Sequence, residues 1–276
     1  MHALLLLGCT AAPLDSADAC GPLRVATFNL LHGYLDEDPD AQPWDRVEER
    51  MTLAGPALAS EGLTTVMLQE VVMGAAGGYP ETAEMLRSEG QSLTFGDLFG
   101  TQPGPTGSGW GQATLTCHEV LASTNHVVEG SDPRSVLHTR VSVEGVEVDL
   151  FNVHISGNPE SVIDVLGFVE EVGGERIVLG GDFNLSDGEE GLEVLGDAGF
   201  EDAVGAPCAD LGDPSCTANT IPLGEDGNRR DERIDYLWTR GVTASDSRVL
   251  LTAPFEVDGG VLWASDHLPV AADVGL

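Results

Sequence analysis

The chain has no lysine. All twelve of its basic residues are arginines, set against 46 acids, which leaves a formal net charge of −34 over 276 residues. A surface of that sign repels polyanions at long range, so tight non-specific binding to duplex nucleic acid is disfavoured unless salt or divalent cations screen it. An active site that needs carboxylates accounts for only a handful of these acids; solubility in a salty or divalent-rich medium accounts for the rest. Cys-x-x-Cys and histidine-rich spacings are also missing, which argues against a zinc site. No linker divides the chain, and its length suits one large domain or two ordinary ones. With 42% apolar residues and a mean hydropathy near zero, the composition is that of a folded body and not a disordered one.

Cysteine is scarce but placed suggestively. Met1 to Cys9 reads Met-His-Ala-Leu-Leu-Leu-Leu-Gly-Cys, which resembles the tail of a bacterial lipoprotein signal whose cysteine, here Cys9, becomes the lipidated first residue. The run is too short to span a bilayer and lacks a basic start, so the true start is expected upstream. Residues 1–22 are therefore expected to be a truncated signal and tether, and 23–276 a single domain. The alternative is a cytosolic protein with a chance apolar start. Export makes the other four cysteines disulfide candidates. Cys208 and Cys216 bracket a short polar loop and form the natural pair, leaving Cys20 with Cys117 by elimination.

Alternation and β-branched runs predict strands over 23–30, 64–71, 113–121, 135–143, 146–153, 176–179, 233–238, 247–251 and 269–274, with 247–251 on a sheet edge. Helical spacing covers 46–60 despite Pro56, 80–88, 161–172 and 189–198. Residues 100–111, rich in Gly and Pro, read as a surface loop. The helix over 161–172 lies between strands ending at His154 and Gly180, which makes a βαβ unit.

The chain is organised around Arg176 to Ser186, an apolar run that stops at Gly180-Gly181-Asp182-Phe183-Asn184. The glycines let the backbone leave the sheet or approach a ligand, and in extended geometry Asp182 and Asn184 project to one side. By itself the segment could equally be an Asp/Gly/Asn turn without chemistry. Other strand ends repeat the pattern: Asn29, Glu70, His154, Asp235, and the pair Asp266-His267 all follow or interrupt apolar runs. A lone acid or histidine is more often structural than catalytic, but eight residues placed alike describe a site along one edge of a β-sandwich.

Thr27-Phe28-Asn29-Leu30, Leu68-Gln69-Glu70-Val71, Asn152-Val153-His154, Gly181-Asp182-Phe183-Asn184, Arg233-Ile234-Asp235-Tyr236 and Ser265-Asp266-His267-Leu268-Pro269 stand in this order. Together they resemble the endonuclease/exonuclease/phosphatase superfamily of metal-dependent phosphoesterases. The resemblance implies a four-layer α/β sandwich, with two packed mixed β-sheets flanked by helices. It implies a site for Mg²⁺, or Mn²⁺ or Ca²⁺, at Glu70 and Asn29 with Asp266 nearby. Asp182 would orient or deprotonate the attacking water, with Asn184 holding it. His267, paired with Asp235, would stabilise the phosphate or move a proton, and His154 would contact the opposite phosphate oxygen. Where relatives carry Gly-Asn-Ala and later Leu-Ser-Arg, this chain has Gly111-Gln112-Ala113 and Leu115-Thr116-Cys117. Gln112 still offers a phosphate contact, but the arginine is lost.

The expected activity is metal-dependent hydrolysis of phosphodiesters, by an extracellular nuclease or a sphingomyelinase-like lipid phosphodiesterase. The expected partners are thus nucleic acid or phospholipid, with a membrane tether at Cys9 and a monomeric state. Alternatives are a phosphomonoesterase for sugar or inositol phosphates and a non-catalytic surface binding protein of the same fold. Arg229, Arg230 and Arg233 form the only basic cluster, read either as a phosphate contact, Arg230 foremost, or as surface salt bridging. Val261-Leu262-Trp263 reads either as an apolar lipid-side insertion or as core.

Overall fold

The computed structural model describes residues 20–31, 46–73, 81–98, 109–128, 134–208, 214–218 and 232–276. Cys9 and most of the expected signal and tether, Arg229, Arg230, and most of the expected loop over 100–111 lie outside them. The first half runs β1 (Leu23–Asn29), α1 (Val47–Ser60), β2 (Thr65–Met73), α2 (Thr82–Leu86), β3 (Ser92–Asp97) and β4 (Gly109–Thr116). The second runs β5 (Glu119–Val128), β6 (Arg134–Val143), β7 (Val146–His154), α3 (Pro159–Val172), β8 (Ile177–Asp182), α4 (Leu192–Asp197), β9 (Glu201–Asp202) and β10 (Asp235–Arg240). β11 (Thr243–Val249), the hairpin β12 (Phe255–Val257) with β13 (Gly260–Leu262), and β14 (Val270–Gly275) complete the chain.

These strands form two mixed sheets of six, ordered β11-β14-β1-β2-β4-β3 and β5-β6-β7-β8-β10-β9. Each sheet holds one parallel pair, β1 with β2 and β7 with β8, and each pair is joined by a helix, α1 or α3. The molecule is thus built on two βαβ units, and Phe28-Asn29 and Phe151-Asn152 occupy the first strand of each.

Strand alternation sorts the side chains into layers. Val25 of β1 faces the other sheet with Met67, Leu150, Val178, Leu237 and Val270, while Ala26 and Phe28 face α1 through Met51, Ala54 and Leu58. On the far side Phe151, Val153, Leu179 and Tyr236 pack on Val162, Val165 and Val169 of α3. Helices, sheet, sheet and helices make the four-layer α/β sandwich.

A polar staple crosses the apolar middle. Gln69 Nε2 donates to Asn152 Oδ1 at 2.7 Å, and Asn152 Nδ2 donates to the Leu68 and Ala113 carbonyls at 3.0 and 2.8 Å. All of these side chains are buried, so the pairing satisfies groups that would otherwise be stranded without water, and it fixes the register of one sheet on the other.

Several expectations are corrected. The single strand over 113–121 is two: β4 ends at Thr116 in one sheet and β5 begins at Glu119 in the other, and the chain changes sheet at Cys117-His118. Gly109 to Gly111, read as loop, belong to β4; a Cβ on Gly111 would lie 1.9 Å from the Gly96 carbonyl, so glycine is required for the approach of β3. β3, β9 and the β12–β13 hairpin, short or weakly patterned, were not expected. α4 begins at Leu192 and not at 189, because Gly191 adopts φ +123°. α3 begins two residues early, at Pro159, because Asn158 caps it by accepting from Ser161 N at 2.8 Å with proline at the first turn. Pro56 is tolerated inside α1 on its exposed side, and the edge strand expected at 247–251 lies earlier, as β11 over Thr243–Val249.

Candidate active site

β7, β8 and β10 carry His154, Asp182 and Asp235 in one row, because the register pairs His154 with Asp182 and Asp182 with Asp235. Gly181 makes this row possible. It does not release the backbone from the sheet but keeps it there, at φ +150°, where a Cβ would lie 1.9 Å from the Val153 carbonyl. From the facing sheet come Asn29 at the end of β1 and Glu70 from β2. Glu70 is not at the strand's end. It sits at a bulge between Leu68 and Val71, with φ +56°, and this irregularity turns its carboxylate to the row.

Asn29 joins the two sheets' contributions. Its Nδ2 donates to Glu70 Oε1 at 3.2 Å and to Asp182 Oδ2 at 2.9 Å, and its Oδ1 accepts from Leu31 N at 3.0 Å. Ser265 Oγ donates to the Asn29 carbonyl at 2.7 Å and lies 3.2 Å from Asp266 Oδ1, which brings Asp266 to the same place. The buried Arg50 of α1 donates to the Leu30, Leu31 and Ala264 carbonyls at 2.9, 3.1 and 2.8 Å and so holds the two loops together. Among the described residues Leu31, Glu70 and Asn184 are three of six non-glycine residues with positive φ, and all three lie here. Backbone strain concentrated in this way is typical of functional sites.

Asp235 and His267 form the expected pair, His267 Nδ1 donating to Asp235 Oδ2 at 2.9 Å. Thr217 Oγ1 donates to the same oxygen at 2.7 Å. Burial opposes a charge on His267, but the carboxylates of Asp235, Asp266 and Asp182 outweigh it and hold the pKa well above that of a free histidine. Burial pushes Asp182 up to about 7, although His267 and the hydrogen bonds from Asn29 and Asn184 work against this. His154 goes the other way: its burial lowers the pKa to about 4, with Glu70 opposing and Arg134 and His267 assisting. At neutral pH the site holds the His267 imidazolium, the neutral His154 imidazole and the Asp182 carboxyl poised near its midpoint. His154 Nδ1 and Asp235 Oδ1, both buried, have no hydrogen-bond partner among the described residues.

Asn184 departs from the extended geometry expected of it. With φ +51° its N–H donates to Asp182 Oδ1 at 2.9 Å, its Nδ2 donates to the Ile155 carbonyl at 2.9 Å, and the residue is exposed beside the row. Gln112 is buried and accepts from Ser135, the residue paired with His154 across β6 and β7. Arg233 is no open phosphate contact: it is buried, bridged to Asp187 and Asp202, and lies 4.6 Å over the Tyr236 ring. Leu262 and Trp263 are core. Cys20 pairs with Cys117 and Cys208 with Cys216, with Cα separations of 5.6 and 4.9 Å. Two disulfides fit an oxidising, exported setting, and no described helix is long and apolar enough to cross a membrane.

Sequence reasoning missed Thr217, Ser265 and Arg50, and also Arg134, whose guanidinium lies 5.9 Å over Trp110, itself 6.1 Å from the His154 ring. Arg134, at the start of β6, puts a positive charge near His154. Only Ser265 had a signal, its place directly before Asp266.

Comparison with known proteins gives the family and the fold. A model of the Endonuclease/Exonuclease/phosphatase family matches residues 26–267. A solved endonuclease/exonuclease/phosphatase family protein from Bacteroides thetaiotaomicron superposes with a TM-score of 0.71 at 18% identity, covering 92% of this chain and 97% of its own. A mannosyl-6-phosphatase, Bt3783, from the same species gives 0.71 at 16% over 92% and 100%. TDP2 from Caenorhabditis elegans gives 0.63 at 15% over 92% and 74%. Comparison with curated protein sequences finds no match. At these identities the solved structures speak for the fold, and the match over 26–267 speaks for the family: the chain belongs to the endonuclease/exonuclease/phosphatase family.

Proposed function

We propose that this protein hydrolyses phosphate esters, phosphodiesters foremost, by in-line attack of an activated water, with a divalent cation as cofactor. The observation that carries the proposal is the meeting of Asn29 with both Glu70 and Asp182, which places the oxygen-rich group beside the proton-handling row. Asp182, Asp235 and His267 also lie within ligating distance of one another. His267 Nδ1 is committed to Asp235, however, so that trio suits proton transfer better than metal binding.

The carboxylates fit a hard cation. Glu70 and Asp266 offer oxygen, which suits Mg²⁺, Mn²⁺ or Ca²⁺ rather than zinc, and Asn29 would join them through the second lone pair of its Oδ1, which accepts from Leu31 N while its Nδ2 faces Glu70 and Asp182. These three residues would hold it, and when bound it neutralises charge on the phosphate and the leaving oxygen. Asp182, with a pKa near neutrality, orients the water and takes its proton, the task for which a base of that strength is best suited. Asn184 supports the water from beside Asp182. The His267 imidazolium, oriented by Asp235, donates to a phosphate oxygen or to the leaving group. Neutral His154 donates to a second phosphate oxygen, and Arg134 and Gln112 border the same side.

The substrate is nucleic acid or phospholipid. Burial of Leu262 and Trp263 removes the apolar insertion that a lipid enzyme would present there. A second reading, a phosphomonoesterase on sugar phosphates, is favoured by the likeness to a mannosyl-6-phosphatase. Export, with a lipid tether at Cys9, and a monomeric state belong to the same proposal.

The test is hydrolysis of plasmid DNA, sphingomyelin, a bis-aryl phosphodiester and a hexose 6-phosphate, each with Mg²⁺, Mn²⁺ or EDTA. Turnover that needs the cation and is lost in His267→Ala supports the proposal, and the preferred ester selects the substrate class. A folded, cation-binding protein inert on all four would refute it in favour of the non-catalytic binding protein.

A further inference from the structure

Asp235 accepts two hydrogen bonds at one oxygen, and the second donor lies far from it in sequence. Thr217 is fully buried, and its Oγ1 lies 2.7 Å from Asp235 Oδ2, the oxygen that receives His267 Nδ1. The same hydroxyl accepts from Ile234 N and Asp235 N at 3.3 and 3.2 Å, so it meets both the side chain and the backbone of Asp235. The Thr217 carbonyl accepts from Leu268 N at 2.7 Å, directly after His267, and its N–H donates to the Glu232 carbonyl at 2.8 Å. One residue thus fastens the acid and the histidine of the pair from opposite ends.

Thr217 belongs to no regular strand or helix; it lies beside an isolated bridge between Ala218 and Glu232. Its preceding residue, however, is the buried Cys216, bonded to Cys208, and Cys208 N donates to Asp187 Oδ2 at 2.9 Å. Asp187 in turn is bridged to Arg233, two residues before Asp235. The disulfide therefore closes a loop of structure that begins and ends at Asp235. We propose that Thr217, anchored by the Cys208–Cys216 disulfide, is a positioning residue for the Asp235–His267 pair. It sets the angle at which Asp235 meets the imidazole, and so the direction of His267 Nε2. This inference rests on the proposed phosphoesterase reading for its kinetic consequence, but not for its structural one.

The test uses the full chain and two readouts. The first is the proton resonance of His267 Nδ1–H and its exchange with water, which needs no substrate. The second is kcat and KM on whichever ester the wild-type protein turns over. Thr217→Val removes the hydroxyl and keeps the shape. It is expected to shift and broaden the resonance and to lower kcat about tenfold or more with KM changed about twofold or less, since a lost orienting bond acts on turnover more than on binding. Thr217→Ser restores the hydroxyl and is expected to restore both readouts. The double variant Cys208→Ser, Cys216→Ser is expected to move the resonance in the direction of Thr217→Val and to lower kcat by a smaller factor, while Cys20→Ser, Cys117→Ser moves neither. A Thr217→Val protein with an unaltered resonance overturns the positioning role, as does a serine variant as impaired as the valine one. A Cys208→Ser, Cys216→Ser protein that matches wild type in both readouts overturns the part given to the disulfide. Should the wild type turn over no ester, the phosphoesterase reading falls, and the resonance still decides for or against Thr217.

Discussion

At the scale of single residues, the site depends on how burial treats opposite charges. Asp182 and His154 are both buried and neighbours in the register, and burial drives the acid's pKa up to about 7 and the histidine's down to about 4. Each is moved toward its neutral form, as desolvation requires. Under the proposed mechanism the base is competent only when deprotonated, so kcat/KM is expected to rise as pH passes upward through about 7. A pH–rate profile measures this directly, and a profile flat from acid to neutral would assign the base elsewhere. Asp182→Asn is expected to lower kcat about a thousandfold and to abolish that limb. Arg134 gives a different expectation. Its guanidinium flanks Trp110 beside His154 and contributes charge without a proton to transfer, so Arg134→Ala is expected to raise KM about tenfold with little change in kcat.

At the scale of elements, the site exists because strands are held unusually close and unusually bent. The β7–β8 pair tolerates no side chain at Gly181, where a Cβ would meet the Val153 carbonyl at 1.9 Å. Gly181→Ala is expected to force the two strands apart and to displace Asp182 from His154. The cost is roughly 3 kcal/mol or more of stability, in the range of strained backbone substitutions. Denaturant unfolding measures it, and a variant within about 0.5 kcal/mol of wild type would mean that the pair can relax. The bulge in β2 acts in the opposite sense, adding a residue so that Glu70 turns toward Asn29. The βαβ unit of β7, α3 and β8, by contrast, was legible from the sequence, since an apolar strand, an amphipathic helix and a second apolar strand leave few right-handed arrangements. The sheet change at Cys117-His118 was not legible, because no glycine, proline or other turn residue interrupts 113–121 and only the partner strands show that the chain has moved.

For the whole molecule, acid stability has an identifiable anchor remote from the site. Asp149 of β7 accepts from Arg140 Nε at 2.7 Å and from Gly174 N at 2.7 Å, with His138 Nε2 at 2.6 Å. Burial works against its charge, but these donors hold its pKa down at about 2, below the ordinary 3.8. A depressed acid stabilises the fold above its unfolded pKa, and that contribution is lost as pH falls from 3.8 through about 2. It amounts to roughly 2 kcal/mol. Asp149→Asn is therefore expected to lower stability at neutral pH by at least that order, and the gap from wild type to narrow below pH 3.8. Urea unfolding of both proteins across the acid range checks it. Taking the difference also cancels the opposing contributions of Asp182, which stabilises as pH falls from about 7, and of His154, which destabilises between 6.5 and about 4.

Residue order alone was enough to point to the family and the layers and to single out Asn29, Glu70, His154, Asp182, Asp235, Asp266 and His267 as candidates. Those features are local: apolar periodicity and the residue that ends a strand are written within a few positions of one another. Tertiary structure alone decided which groups meet. Thr217 reaches Asp235 across 18 positions and Arg50 reaches the Ala264 carbonyl across 214, distances at which no local pattern survives. It also decided against Arg233 as an open phosphate contact, because Asp187 and Asp202 fold onto it. The protonation of Asp182, His154 and His267 was decided there too, since desolvation and opposing charge act through space and not along the chain.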